Sequence, residues 1–382
     1  MQWHTNLRLP EAAGVAPRRW RLGVDQSGCI ARLEPLPPGS EGAGENWHGD
    51  WLSPAGVDLQ INGGLGLPFP ELTPQQLPRL LELLELLWRD GVEAIAPTFV
   101  TCAVEPLRQG LAVLEEARRQ HRPGRCRLLG AHLEGPFLAP PRRGAHPAEH
   151  LCAPSLQALE QRIGGFEEAI ALVTLAPELE GADAVIAALR QLGVVVSLGH
   201  SAADEAQARR AYQQGVSMLT HTFNAMPGLH HRAPGPVGAL LGSPPVALGL
   251  IADGVHVAPA MAALLQRLFP EQVVLVSDAL APYGLPAGRY PWDARTIQVE
   301  RGSCRLEDGT LAGTTLTLLE GAIRLAGWTG DAAAAIRAAT VLPRGVLGQS
   351  PVVEQLLLGQ PLAHTLRWSQ APTQPLAWRW NG

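Results

Sequence analysis

Between residues 57 and 279 the chain repeats one beat: a short β-rich run ends in polar residues, and a helical pattern usually follows. Eight such runs occur: VDLQI (57–61), VEAIAPTF (92–99), RLLGAHLE (127–134), ALVTLAPE (171–178), VVVSLGHS (194–201), MLTHTFN (218–224), VALGLIAD (246–253) and QVVLVSDA (272–279). Several are nearly continuous apolar stretches, as parallel strands covered on both faces require. Amphipathic helical patterns lie between many of them, over 77–90, 106–119, 182–192, 203–214 and 259–268. Eight strands alternating with helices predict an α/β fold of the (β/α)8 TIM-barrel class. A doubly wound open sheet is the rival. It normally carries a glycine-rich phosphate turn after its first strand, and GGLG (63–66) matches GxGxxG poorly.

The two ends differ from the middle. Seven of the ten tryptophans fall in the first 51 or last 15 positions: Trp3, Trp20, Trp47, Trp51, Trp368, Trp378 and Trp380. Short strand-like runs such as RRWRLGV and GCIARLEP accompany them. The termini are therefore expected to pack together as one small β-sandwich domain, residues 1–52 and 343–382, beside a barrel of residues 53–342.

Composition narrows the chemistry. At 382 residues, 46% hydrophobic and 17% charged, the chain can bury a large core. A net charge of −5 offers no basic face for nucleic acid. All 30 basic side chains are arginine. Without lysine there is no phosphate-loop lysine, no Schiff base and no carboxylated lysine bridging two metals. Five cysteines, an odd number without CxxC spacing, read as reduced thiols of a cytoplasmic protein. No apolar leader opens the chain and no run of membrane-spanning length occurs, so neither secretion nor a membrane is expected.

In a barrel of this class the chemistry sits at the C-terminal strand ends. Those ends carry Gln60 and Asn62 after the first strand, Glu134 after the third, His200 after the fifth, His221 after the sixth and Asp278 after the eighth. Any one of them alone is an ordinary capping or core residue. Together they bring two imidazoles and two carboxylates to one mouth. Two His and one Glu suit a borderline-soft cation such as Zn2+, with a position left open for water. Asp278 follows the apolar run VVLVS, so partial desolvation suits it to act as base and then acid.

The segments VDLQINGG (57–64), APTFVT (96–101), HLEGPFL (132–138), RRGAHP (142–147), TLAPE (174–178), SLGHSAA (197–203), THTFNAMPGLHHRAPGPVGA (220–239), IADGVHV (251–257), LVSDA (275–279) and LAGTTLT (311–317) occur in this order. With them the chain resembles the N-acetylglucosamine-6-phosphate deacetylases of the amidohydrolase superfamily. The resemblance implies that Glu134, His200 and His221 hold one divalent cation, with Zn2+ foremost and Fe2+, Mn2+ or Co2+ also suited to the donors. It implies Asp278 as general base and acid, and His146 as the imidazole that polarises the substrate amide. Gln60 and Asn62 stand where other amidohydrolases place two histidines for a second metal. Ala145, Asn224, Ala225, Arg232, Asp253, His256 and the segment Leu311, Ala312, Gly313 match substrate-binding positions. Arg232 and His256 are the candidates for the phosphate, shared across a homodimer interface.

His132, two residues before Glu134, shares its strand face and is read as a supporting residue. His230 and His231 are read as loop residues, and His4, His48, His121, His150 and His364 as surface residues. Arg142 and Arg143 add positive charge near the mouth. Ala55 replaces a usual glycine, and LLLGQPLAHTLRW (356–368) lacks the family's closing Asp, which leaves the register of the small domain open. The expected reaction is deacetylation of N-acetyl-D-glucosamine 6-phosphate to D-glucosamine 6-phosphate and acetate. Three alternatives stand beside it: a deacetylase for another N-acetylhexosamine phosphate, such as the galactosamine epimer; a catalytically silent sugar-phosphate-binding barrel; and a two-metal cyclic-amide hydrolase, which Gln60, Asn62 and the absence of lysine disfavour.

Overall fold

The structure is a computed structural model and describes every residue except Glu41, Pro372 and Thr373. Eight parallel strands make the barrel: β1 (Gly56–Ile61), β2 (Val92–Val100), β3 (Ala131–Glu134), β4 (Ile170–Leu175), β5 (Val195–Leu198), β6 (Met218–Leu219), β7 (Ala247–Leu250) and β8 (Val273–Leu275). Each pairs with the next in sequence order. Closure of β8 on β1 is lighter. It consists of a parallel bridge between Ile61 and Ala279, with the Asp278 N–H donating to Gln60 O (2.9 Å) and the Asn62 N–H to Ala279 O (2.7 Å). The closing contacts thus run through the residues next to the site.

Strands buried on both faces explain the unbroken apolar runs, and every residue of β1 is buried. Six runs are shorter as strands than their patterns predict, and in three of them the backbone shows why. The third breaks at Gly130, at φ +124°, where a side chain would meet Ala171 at 3.1 Å. The sixth stops at Leu219 because His221, Phe223 and Ala225 all adopt positive φ, and the eighth stops at Leu275 before Asp278 does the same.

The helices follow their apolar spacing. In α1 (Leu77–Arg89), Leu80, Leu83, Leu84 and Leu87 recur at i, i+3, i+4 and i+7 and are buried. Each such leucine contributes about 1.5–3 kcal/mol. α2 (Val104–Arg119) and α3 (Leu156–Ile163) follow, and the pattern reading does not anticipate α3. Its start is set by Ser155, whose Oγ accepts from the Ala158 N–H. α4 spans Ala182–Gln191 and α5 spans Glu205–Gln214. α5 begins two residues later than its pattern suggests because Asp204 caps it, in a reciprocal box with Gln207. α6 (Pro259–Leu268), α7 (Leu318–Thr329) and α8 (Ala332–Thr340) complete the outer layer.

Between β8 and α7 lies a feature absent from the expected layout, an antiparallel meander of Gly288–Trp292, Arg295–Glu300, Ser303–Leu306 and Leu311–Thr314. It buries Trp292, Ile297, Val299 and Cys304 against Leu280 and Ala145.

The termini form the small β-sandwich. One sheet runs Ile30–Pro35, Trp20–Val24, Gln2–Leu7, Glu45–Asn46, and the other Ala377–Trp380, Thr365–Ser369, Trp51–Pro54. The expected 52/53 boundary falls inside the strand Trp51–Pro54. Trp368 is fully buried, and its indole N–H donates to Ser53 Oγ at 2.8 Å, tying the C-terminal strands to the segment that enters the barrel. His4 is not the surface residue expected. It is buried edge-on to Trp47, whose Nε1–H donates to His4 Nδ1 at 3.2 Å. All five cysteines are free thiols. No helix among the described residues is long and apolar enough to cross a membrane.

Candidate active site

The C-terminal strand ends open into a cavity of about 280 Å3. At its floor, Glu134 Oε1 lies 3.2 Å from His200 Nε2 and 3.0 Å from His221 Nε2, and the two imidazole nitrogens are 3.0 Å apart. All three side chains are buried. His200 Nδ1 lies 2.8 Å from the carbonyl oxygen of Arg142, which can only accept. Nδ1 therefore carries the proton and Nε2 presents a lone pair. Glu134 Oε1 and His200 Nε2 thus present lone pairs beside His221 Nε2, a set of three atoms that a shared cation would bind. Donors about 2.0–2.2 Å from a tetrahedral Zn2+ stand about 3.3–3.6 Å from one another, close to the spacing here. Donor types, spacing, tautomer and a backbone carbonyl behind the histidine all fit a divalent cation.

Asp278 stands across from this triad. Its Oδ1 accepts from Asn62 Nδ2 (2.7 Å) and Gln60 Nε2 (3.3 Å), and Gln60 Nε2 also donates to Glu134 Oε1 (3.2 Å). Burial first, and the Glu134 charge second, push the Asp278 carboxyl up to about 8. The amide oxygens of Gln60 and Asn62 are buried without a hydrogen-bond partner among the described residues. Both amides thus serve the carboxylates through their N–H groups.

His146 sits beside His200, with ring centroids 4.3 Å apart. The Thr101 N–H points at His146 Nδ1 (3.2 Å), so Nδ1 accepts and the proton sits on Nε2, 3.8 Å from Glu134 Oε2. Burial lowers its pKa to about 3, so it is a neutral N–H donor. His132 takes no part in the triad. Its Nδ1 donates to Leu59 O (3.0 Å) and its Nε2 accepts from Thr174 Oγ1 (2.7 Å), so both nitrogens are spent bracing the barrel floor.

His200, His221 and Asp278 share a further property. Each is a non-glycine residue in the left-handed region, at φ +48°, +28° and +48°. Such conformations cost roughly 1–3 kcal/mol each and persist only where the surroundings over-determine them. Here they turn the chain out of the strand and aim three functional side chains at one spot. Gly313 serves the same floor. At φ +153° its backbone closes on Asp278 O, where a side-chain carbon would approach within 2.6 Å.

The sequence-derived residues separate into three groups. Asn62, Glu134, Ala145, His146, His200, His221, Asn224, Ala225, His256, Asp278, Leu311 and Ala312 line one cavity. Gln60, Asp253 and Gly313 stand behind it. Asp253 Oδ2 pairs with His256 Nδ1 at 2.7 Å and its Oδ1 accepts from the Val255 and His256 N–H groups. Burial raises the Asp253 pKa most strongly, yet these partners leave it lowered overall. Arg232 is apart from both groups. It is exposed, beside the mutually tilted His230–His231 pair, and lines a different depression with Arg209 and Arg210. A single chain does not bring it into the cavity. Trp292, from the meander, lines the cavity wall and escapes the sequence reading, because an isolated tryptophan outside the barrel pattern carries no positional signal.

No protein-family model matches the chain. It is 36% identical over 336 residues to the N-acetylgalactosamine-6-phosphate deacetylase of Escherichia coli O157:H7, covering 87% of this chain and 86% of that one. It is 36% identical over 312 residues to the N-acetylglucosamine-6-phosphate deacetylase of Danio rerio, covering 78% and 76%. Among solved structures, the N-acetyl-D-glucosamine-6-phosphate deacetylase of Mycobacterium smegmatis, an aspartate-to-alanine variant in complex with N-acetyl-D-glucosamine 6-phosphate, superposes with a TM-score of 0.78 at 28% identity over 94% of this chain and 92% of that one. The Pasteurella multocida enzyme gives 0.79 at 26% identity over the whole of both chains. With this fold, this site and these relatives, the chain belongs to the N-acetylglucosamine-6-phosphate deacetylase family of amidohydrolase-fold hydrolases.

Proposed function

We propose that the protein hydrolyses the acetamide of N-acetyl-D-glucosamine 6-phosphate to D-glucosamine 6-phosphate and acetate, as an enzyme of amino-sugar metabolism. The observation that carries this reading is the convergence of Glu134, His200 and His221 on one point, with Asp278 opposite, in a chain of this family. The three ligands hold one divalent cation per subunit, with Zn2+ the best match and Fe2+, Mn2+ or Co2+ suited to the same donors. Bound there, a cation supplies Lewis acidity toward the acyl oxygen and toward water. Gln60 and Asn62 already spend their N–H groups on the two carboxylates, which supports a single-metal site.

A cation held by the triad would offset the Glu134 charge that helps raise the Asp278 pKa and so favour the ionised form. As carboxylate, Asp278 takes the proton of the attacking water while Asn62 and Gln60 fix its Oδ1. His146 Nε2–H donates to the acyl oxygen as negative charge develops there. Asp278 then returns the proton to the amine nitrogen as the C–N bond breaks. The sugar rests against Ala145, Asn224, Ala225, Leu311 and Ala312, with Gly313 and Asp253 supporting from behind. His256 engages the phosphate, and the Arg232 guanidinium joins it from a second copy of the chain in a homodimer. That geometry accounts for the distance between Arg232 and its own cavity. Five free thiols suit a cytoplasmic enzyme.

A second reading has its own support. The relative from Escherichia coli O157:H7 is named for the galactosamine epimer, and this chain aligns with 86% of its length. Acetate release from a panel of phosphorylated and free N-acetylhexosamines, with metal quantified in the same preparation, tests both. Turnover of the gluco substrate with about one metal per chain is expected. Faster turnover of the galacto epimer selects the second reading, and metal binding without acetate from any substrate leaves a silent binding protein.

A further inference from the structure

The meander after β8 sets Trp292 into the wall of the cavity that also holds Glu134, His146 and Asp278. Among the described residues it is the only indole, phenol or phenyl ring lining that cavity. Its place is fixed from several sides. It packs with Leu280, Ile297 and Ala145, and the Arg295 guanidinium lies over the ring, 4.8 Å from its centroid. The same guanidinium donates to Asp293 Oδ1 (3.0 Å) and Oδ2 (2.6 Å) and to Ala145 O (2.8 Å). One arginine therefore ties the indole to the loop that carries His146 and the Arg142 carbonyl behind His200.

The remaining groups of the cavity have their work assigned. The triad, Asp278 and His146 address the acetamide, and His256 the phosphate. None of them meets the C–H face of a pyranose, which an electron-rich aromatic ring attracts. Leu311 and Ala312 add further apolar surface to the wall. We propose that Trp292 is the platform for the pyranose ring, a specificity-determining residue that selects a ring-borne acetamide over an acyclic one, and that Arg295 is the positioning residue that holds the indole. This rests on the deacetylase reading above.

The test measures acetate release from N-acetyl-D-glucosamine 6-phosphate, and competitive inhibition by 2-acetamidoethyl phosphate, which carries the acetamide and phosphate without the ring. Trp292→Ala should raise KM for the sugar about tenfold with kcat within about threefold, and Trp292→Phe should raise it less. Arg295→Gln should raise KM by an intermediate factor. The inhibition constant of the acyclic compound should move less than about twofold in all three. Equal weakening of sugar and acyclic compound would mean a merely structural role and overturn the proposal, as would an unchanged KM in every variant. If Trp292→Ala does not fold, Trp292→Phe and Arg295→Gln decide by the same ratio. A wild type that releases no acetate from either the gluco or the galacto epimer removes the deacetylase reading and this one with it, whereas an active wild type with insensitive variants removes the platform alone.

Discussion

His146 and His200 stand nearly perpendicular, at 68° with centroids 4.3 Å apart, and carry opposite tautomers. A carbonyl behind His200 accepts a hydrogen bond from its Nδ1–H and leaves the Nε2 lone pair facing the triad. A backbone N–H behind His146 caps its Nδ1 and leaves an N–H facing the cavity. Two neighbouring imidazoles thereby turn opposite faces to the cavity, as the proposed roles of ligand and donor require. His146→Ala should lower kcat by about 10²–10³ while bound metal stays at the wild-type level. His200→Ala should lose the metal. Metal analysis of the two purified variants separates the roles, and loss of metal from the His146 variant would make it a ligand instead.

Asp278→Asn preserves shape and removes the proposed base. Metal should stay bound, because Asp278 is outside the triad, and kcat should fall by about 10²–10⁴. Single-turnover acetate release on metal-loaded protein measures this. A variant with near-normal kcat would take Asp278 out of proton transfer.

Much of this site is legible in the sequence because the barrel makes it so. A strand buried on both faces is a largely apolar run, and the polar residues at or just past its C-terminal end stand at the mouth. Glu134, His200, His221 and Asp278 are all found that way. The meander is harder to read. Its strands alternate, as in Ile297 and Val299, but they are short, half exposed and outside the βα beat, so Trp292 goes unnoticed. α3 buries only Leu159, Arg162 and Ile163, too few for a periodic signal. His4 is buried by Trp47, a partner 43 positions away that no local pattern reveals. Arg232 is identified by resemblance, and its distance from the cavity follows from the exposed loop that carries it.

Asp58, in the middle of β1, gives a pH signature on stability. It is fully buried, and burial pushes its carboxyl up to about 6 even though the Gln60 and Ser277 N–H groups donate to its Oδ1. A folded-state pKa above the unfolded one means that folding favours the protonated form. That stability is whole below about pH 4 and is lost as pH rises toward 6. Asp58→Asn keeps an acceptor and cannot ionise. Its melting temperature should match wild type at pH 4 and exceed it at pH 7.5, by an amount on the order of 3 kcal/mol in unfolding free energy. Denaturant titrations at both values check this, and a variant less stable than wild type at pH 7.5 would contradict it.

Arg232 gives the sharpest test of shared sites. It is exposed and lines a depression other than the catalytic cavity, so within one chain its removal should leave chemistry alone. If it reaches the phosphate of a substrate bound to a second copy, Arg232→Ala should raise KM for N-acetyl-D-glucosamine 6-phosphate by about 10–100-fold, as loss of a charge-assisted pair does. The kcat/KM for unphosphorylated N-acetyl-D-glucosamine should stay within about twofold. Mixing Arg232→Ala with Asp278→Asn adds a geometric check. In a mixed dimer, the Asp278 variant supplies an intact Arg232 to the chain that retains its base, so one site of wild-type KM should reappear. Equal loss on both sugars, or mixing that recovers nothing while mixed dimers form, would put the phosphate elsewhere.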